Sequence, residues 1–551
     1  MTRPPTAPYP RVRVSVTLLL LAAGPVVYAQ GGTEMTDAAT NDAALQPPPV
    51  ILAPGPEYGP DTRPFQGIPG LERTPGGRLW ATWYGGGPTE GPWNYVMLST
   101  SADDGASWSG LTLVVNPPDP VRAFDPVLWL DPRGRLWLFW AQAWQGWDGR
   151  GGVWAIVSDN PEDEDPQWSA PRRLCDGVMM NKPIALSTGE WLLPAAVWAN
   201  RPSADAEHVR PSSDPSGSNV VVSADEGATW QYRGGVDIPG RSCDEHQVIE
   251  RADGSLWLLA RTSYGIGESV STDGGRTWSP GRQSWIPHVP TARFYLRRLA
   301  SGRLLLVKHS PPDGRTRSRL TAYLSADDGR TWQGGLPLDE RDGVSYPDGT
   351  EGPDGTIYVI YDFERKGAKQ ILMATCTEAD VLAEETVSGR VRFRVEVNRA
   401  TGEDAAEEIT LADNADAEPL LSGPSARLSA SVGEEWAPLV AGAKLFTDRE
   451  YVLIEAPAAL AGARFLRGSM ARISATVQAE GVVWVLTPRP ERNRDSVELA
   501  LYRQGFVRAR VPEFVLFGGS AANAVTLFQR RCSAGETISL GKWGVLALPP
   551  E

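Results

Sequence analysis

Ser101–Trp108 reads SADDGASW, and the phrase returns as SADEGATW at Ser223, STDGGRTW at Ser271 and SADDGRTW at Ser325. In the shared form S-x-D-x-G-x-x-W the aspartate can accept hydrogen bonds from the backbone of its own turn. The glycine permits a positive φ, and the tryptophan packs beneath the turn. A damaged copy, SDNPEDEDPQW, begins at Ser158. A turn that recurs every few tens of residues marks a solenoid or a propeller. Each copy staples a hairpin, so the motif is evidence for a repeated β-unit and carries no chemistry of its own.

A second repeat locates the strands. Turns of the form G-R-L-W or D-G-x-L/I fall at Gly77, Gly134, Gly189, Gly254, Gly302 and Gly355, each between two apolar β-like runs. Six such hairpins predict a six-bladed β-propeller over residues 51–390, in which the first strand of each blade lines the central axis. Nine residues before the turn glycines stand Ile68, Asp125, Met180, Glu245, Arg293 and Tyr346. Seven residues after them stand Tyr84, Ala141, Ala196, Arg261, His309 and Asp362. Both sets fall at one rim of the central cavity, and acids, arginines and a tyrosine converge there from different blades.

Composition agrees with an all-β chain: 21 Trp, 57 Gly and 47 Pro in 551 residues, with many short apolar runs and no long amphipathic helix. The formal charge of −14 disfavours nucleic acid and anionic membrane as partners. Residues 1–29 carry Arg11 and Arg13, an apolar run, and Val27-Tyr28-Ala29 before Gln30, the layout of a signal peptide cleaved near Ala29. The run is short for a bilayer-spanning helix, so an exported protein, periplasmic or extracellular and without stable membrane insertion, is expected. Residues 30–50 read as a linker. Cys175, Cys243, Cys376 and Cys532 are too scattered for a disulfide framework but leave room for one bridge, Cys175 to Cys243. Four histidines with no close His/Cys cluster give no metal-site signature, although calcium on scattered carboxylates stays open, and no cofactor is expected. Residues 391–418, charged and rich in alanine, read as a connector. Short β-like runs resume over 419–551 and predict a small β-sandwich-like accessory domain.

At Glu245–Trp278 and Ser345–Ala374, and through most of residues 51–390, the chain resembles the sialidase superfamily, whose six-bladed propellers carry such Asp-box repeats. It is similar in particular to bacterial sialidase-like proteins with QGIP, RAFDP, NKP and VSYPDG phrases. The resemblance implies a tyrosine nucleophile activated by a glutamate, an aspartic acid/base, and three arginines that grip a substrate carboxylate. Tyr346, in VSYPDG, matches the nucleophile, and Glu245 takes the partner position. A phenol has an ordinary pKa near 10, so a carboxylate that accepts its proton makes attack on an anomeric carbon feasible. Arg261 and Arg317 match the second and third arginines. Guanidinium groups bind carboxylates bidentately and stay charged.

Two departures stand out. QGIP places Gly67 where the family has its first arginine, and the loop GGGPTEGPWNYVML lacks the expected acid/base aspartate. Glu90 or Asp125 is left to supply the proton, with Glu90 favoured by its place on the rim. Arg293, Asp348, Asp362, His309 and Trp144 complete the candidate substrate-contacting set, while Arg297, Arg298 and Arg341 add local positive charge. Trp83, Tyr84, Trp93 and Trp147 are further candidates for stacking on a sugar, and His246 reads as structural. The expected partner is a glycan or polysaccharide. The expected function is removal of a terminal acidic sugar by hydrolysis; the alternatives are a polysaccharide lyase acting on uronates and a non-catalytic glycan-binding propeller.

Overall fold

The computed structural model describes residues 42–550, apart from residues 205, 287–289, 315, 404–416, 430–434, 448–450, 471–472, 491, 494–495, 519–520 and 541–542. The expected signal peptide therefore lies outside the described residues. The all-β expectation holds. The chain divides into two compact units, Met1–Ala400 and Thr401–Glu551.

In the first unit six antiparallel sheets follow one another along the chain. Each begins with a hairpin whose first strand is an edge: Gln66–Arg73 with Leu79–Gly85, Val121–Leu130 with Leu136–Trp144, Ile184–Ala185 with Trp191–Val197, Gln247–Glu250 with Leu256–Thr262, Tyr295–Arg298 with Leu304–His309, and Val344–Glu351 with Ile357–Phe363. The six turn glycines all have positive φ, between 78° and 107°, as these tight turns require. Apolar clusters join the sheets in sequence. One gathers Trp80, Leu98, Leu128 and Trp140 from the first two sheets, and another joins Leu305 and Val307 to Val359 and Tyr361 of the last two. A further cluster packs Tyr358, Ile360 and Met373 of the sixth sheet on Leu71, Leu79 and Trp83 of the first.

The Asp-box turns connect the third and fourth strands of four sheets, and their bonding is alike. The Ser325 hydroxyl donates to Asp327 at 2.8 Å and accepts from the Gly329 amide at 2.8 Å, and Asp327 accepts from the Thr331 amide at 2.8 Å. The same set recurs at Asp103, Asp225 and Asp273. In the damaged copy Asn160 takes the aspartate's place, accepting from the Ser158 hydroxyl at 3.2 Å and the Gln167 amide at 3.0 Å.

The first strand of each sheet has an edge with no neighbouring strand, and its buried backbone groups need partners. Side chains from other sheets supply them. Asp348 accepts from the Leu71 amide (2.9 Å) and Asp362 from the Ile68 amide (2.8 Å). The Lys182 ammonium donates to the carbonyls of Leu71 (2.6 Å) and Leu128 (2.7 Å) and pairs with Glu72 (3.2 Å) and Asp348 (3.3 Å). Gln247 bridges to the Phe294 carbonyl and the Leu296 amide, each at 2.7 Å, and Tyr295 donates to the Gly349 carbonyl at 2.6 Å.

Several expectations are revised. Residues 42–50, read as linker, belong to the first unit: Asp42 pairs with Arg150 at 3.0 Å and Arg210 at 3.1 Å, and Val50–Leu52 adds a fifth strand to the first sheet. The expected connector opens with the strand Arg392–Arg399, which pairs with Gln370–Cys376 at the outer edge of the sixth sheet. Its mixed charge reflects a solvated edge strand. All four cysteines are free thiols, so Cys175 and Cys243 are not bridged.

The second unit holds a three-stranded and a seven-stranded antiparallel sheet. Ile473, Ala475 and Val477 of the smaller sheet share a core with Val483, Val485 and Phe528 of the larger. Among the described residues, no helix of the chain is long and apolar enough to cross a membrane.

The Asp-box geometry yields a test. Asp327→Ala leaves the Ser325 hydroxyl and the Thr331 amide and hydroxyl without their acceptor and lowers the melting temperature. Asp327→Asn loses less than half as much, because Asn160 already holds the same turn. Thermal unfolding of the two variants against the parent checks this order.

Candidate active site

Four of the six residues found nine positions before a turn glycine have left-handed backbones without being glycine: Ile68 (φ 59°), Asp125 (50°), Glu245 (48°) and Tyr346 (51°). Three of them precede proline, and the pairing register slips there, between Gly67 and Gly70, Phe124 and Val127, and Ser345 and Asp348. Such a bulge re-aims a side chain out of the strand's alternation, at a cost of roughly 1–3 kcal/mol per strained residue. The bulges are where the candidate chemistry sits.

Tyr346 is buried, and its hydroxyl donates to Glu245 Oε1 at 3.0 Å. The Arg261 guanidinium donates to the same carboxylate oxygen at 2.5 Å and to the Tyr346 oxygen at 3.3 Å. Burial, followed by the nearby Glu245 charge, raises the Tyr346 pKa well above the usual phenol range, so the phenol is neutral and needs a base to become a nucleophile. Glu245 is placed to be that base. Its backbone is held by Asn181, which donates to the carbonyls of Glu245 (2.8 Å) and His246 (3.1 Å).

Two more guanidinium groups lie against the Tyr346 ring, Arg365 at 5.1 Å and Arg317 at 5.6 Å from its centroid. Arg317 donates to the Ser345 hydroxyl (3.1 Å) and the Thr291 carbonyl (3.2 Å), and among the described residues it makes no ion pair. Arg365 pairs with Glu90 at 2.8 Å. Glu90 rides on a loop organised by Asn94, which donates to the carbonyls of Gly86 (2.8 Å) and Thr89 (2.9 Å). Asp125 is buried, and its carboxyl is pushed up to about 8, by burial first and then, against the pull of Arg122, by the charges of Glu90 and Glu245. It holds a proton at neutral pH.

Other predicted contacts belong to the frame. Arg293 donates through Nε and Nη2 to Asn181 Oδ1 at 3.0 and 2.9 Å, so it braces the residue that braces Glu245. Asp348 and Asp362 each accept a backbone amide of the first sheet through Oδ2, and Asp362 also faces Arg365. His309 donates through Nε2 to the Val344 carbonyl at 2.9 Å, and burial lowers its pKa to about 4, leaving it neutral. Trp144 stacks on His208 with ring centroids 4.1 Å apart, so one face of its ring is covered. Trp83, Tyr84 and Trp147 are buried, whereas Trp93, on the Glu90 loop, is 48% exposed and offers an open face. Arg341 is paired with Asp339 at 2.6 Å and Arg298 with Asp328 at 2.6 Å. Arg365 and Asn181 were not singled out from the sequence; the signals were FERKG, three residues beyond the rim position Asp362, and the NKP phrase. Among the described residues no group of three or more His, Cys, Asp or Glu is placed to hold a metal ion.

The BNR repeat-like domain family matches residues 77–359, just over half of the sequence. The chain belongs to that family. The likeness of its repeats to the Asp boxes of the sialidase superfamily is thereby borne out. It is 29% identical over 159 residues to the anhydrosialidase of Macrobdella decora, covering 26% of this chain and 21% of that protein. It is 26% identical over 193 residues to the xyloglucanase of Hypocrea jecorina (strain QM6a), covering 28% of this chain and 23% of that protein. The chain thus spans less than a quarter of each of these relatives. Among solved structures, the Hadza microbial sialidase Hz136 is 21% identical with a TM-score of 0.46, over 59% of this chain and 68% of that one.

The buried Asp125 makes a stability prediction for this BNR-repeat protein. Folded, the carboxyl keeps its proton to about pH 8; unfolded, it loses it near 3.8, so folding takes up a proton between these values. Its contribution to stability is intact below about pH 4 and is lost as pH rises to about 8. Asp125→Asn is therefore expected to gain melting temperature relative to the parent across that window, with no relative gain below pH 4. Paired thermal melts at pH 4, 6 and 8 measure it.

Proposed function

We propose that the chain is an exported, exo-acting glycoside hydrolase of sialidase type, in which six sheets form the blades of a β-propeller and a terminal acidic sugar is removed at its rim. The observation that carries this reading is the Tyr346 hydroxyl bonded at 3.0 Å to Glu245, with three guanidinium groups around the same phenol. The shared apolar clusters between successive sheets, and between the sixth and the first, support a closed ring of blades. Export rests on the leader pattern of residues 1–29. The relatives named above support glycan hydrolysis as the reaction class.

In the proposed reaction the arginines hold the substrate carboxylate, which fixes the anomeric carbon over Tyr346. Glu245 takes the phenol proton as the Tyr346 oxygen forms its bond to that carbon. The bond to the leaving-group oxygen breaks, and Asp125 protonates that oxygen. Water then attacks the glycosyl-tyrosine carbon and gives a proton to the Asp125 carboxylate, while the phenol oxygen leaves and recovers its proton from Glu245. Configuration is retained by the two displacements. A neutral phenol suits an anionic sugar, since a carboxylate nucleophile would be repelled by the substrate's own charge. Asp125 is preferred to Glu90 as proton donor because Glu90 is engaged by Arg365, whereas Asp125 is buried and protonated.

Incubation of the mature protein with sialic, other ulosonic, uronic and neutral glycosides, followed by mass spectrometry, tests the proposal. An acidic sugar released with the mass of water is expected. A product lacking that water would mean a lyase, and binding without any product would mean a binding module. Tyr346→Phe and Glu245→Gln each reduce turnover by at least about 1,000-fold with the fold intact. Because Asp125 must carry its proton, kcat/KM is expected to fall as pH rises through about 8.

A further inference from the structure

Gly67 stands where the resembled family places an arginine, but the space before it is filled. A β-carbon built on Gly67 would lie 2.3 Å from Cδ and 2.5 Å from Cγ of Arg365, and 2.9 Å from Asp362 Oδ2. No side chain fits at position 67 unless Arg365 moves. The Arg365 carbonyl also accepts from the Gln66 amide at 3.2 Å, so the backbone that carries this arginine is tied to the strand beside Gly67. Its guanidinium ends 5.1 Å from the Tyr346 ring centroid, comparable to Arg317 at 5.6 Å.

The charges around the phenol are three guanidinium groups, Arg261, Arg317 and Arg365, against Glu245, Glu90 and the buried Asp362, which faces Arg365 and accepts from the Ile68 amide. Glu245 is buried with Arg261, whereas Glu90 is 44% exposed on its loop and pairs with Arg365. Of these carboxylates, Glu90 is the exposed one, able to leave its guanidinium without stranding a buried charge, whereas Asp362 is fixed by the Ile68 amide.

We infer that Arg365, reaching in from the sixth sheet, supplies the carboxylate-binding guanidinium that position 67 lacks, and that Glu90 occupies this guanidinium until a substrate carboxylate displaces it. The inference rests on the acidic-sugar reading above and adds to it the residue that grips the acid and the one that competes with it. The glycine and the relocated arginine are then one feature: loss of the side chain at 67 makes room for the stem of Arg365. No covalent step is involved; one carboxylate is exchanged for another.

Binding reads this without turnover. In isothermal titration calorimetry with free N-acetylneuraminate and glucuronate as probes, Arg365→Ala is expected to weaken the acidic sugar that the parent binds by at least about tenfold. Arg365→Lys, which keeps the charge but loses the planar fork, falls in between. Glu90→Gln, by removing the competitor, tightens binding by about threefold or more. Gly67→Arg in the parent background weakens binding by collision. Gly67→Arg combined with Arg365→Gly restores at least part of what Arg365→Gly alone loses. Melting curves confirm that each variant is folded, and Arg365→Lys and Glu90→Gln carry the test should Arg365→Ala unfold. Equal affinity of parent and Arg365→Lys together with weaker binding by Glu90→Gln would overturn the inference, as would a parent that binds neither acid. Absence of glycoside cleavage with these binding shifts intact would refute the hydrolase reading alone.

Discussion

Every inner strand of the first unit faces others across edges that have no strand partner, and the buried amides and carbonyls on those edges must be satisfied. The chain solves this with side chains borrowed from other sheets. Asp348 and Asp362 of the sixth sheet cap amides of the first, Lys182 ties carbonyls of the first and second, and Gln247 bridges the fourth to the fifth. A half-satisfied network of this kind would be worse than an apolar one, because each orphaned buried group costs about 1–3 kcal/mol. The frame therefore fixes the relative positions of residues from distant parts of the chain.

The site inherits that precision. Asp362 accepts from the amide of Ile68 at one left-handed bulge, and Arg293 holds Asn181, which holds the left-handed backbone of Glu245. Strain at Tyr346, Glu245 and Asp125 is tolerated because the surroundings determine these conformations. In return, the side chains of Tyr346, Glu245 and Asp125 come close enough to act on one another. Asp348, Asp362 and Lys182 thus serve the frame through bonds to backbone, while Glu245, Arg261, Arg317 and Arg365 gather around Tyr346.

Much of this was legible in the sequence. The turn glycines and Asp-box phrases gave the strand order, because tight turns demand particular residues at particular places. Counting from those glycines located Tyr346, Glu245 and Arg261, since residues at equal offsets in repeated hairpins fall at equivalent points. The same count could not separate Asp362 or His309 from site residues, because a buried polar group at a strand end looks alike whether it serves backbone or substrate. Arg365 is illegible in the sequence for another reason: the role proposed for it depends on the space left by Gly67, and the two are 298 positions apart in the chain. The proposed choice of Asp125 over Glu90 as proton donor rests on burial and ion pairing, which the sequence does not display.

The central claim is that Tyr346 is the nucleophile, with Glu245 as its base. The most direct measurement is intact-protein and peptide mass spectrometry after treatment with an activated fluorinated analogue of the acidic sugar that the protein cleaves, chosen so that its glycosyl-enzyme intermediate hydrolyses slowly. The account predicts a single glycosyl adduct on the peptide that contains Tyr346, absent from Tyr346→Phe. An adduct on Glu245 or Asp125, or turnover of the analogue by Tyr346→Phe at the parent's rate, would contradict it.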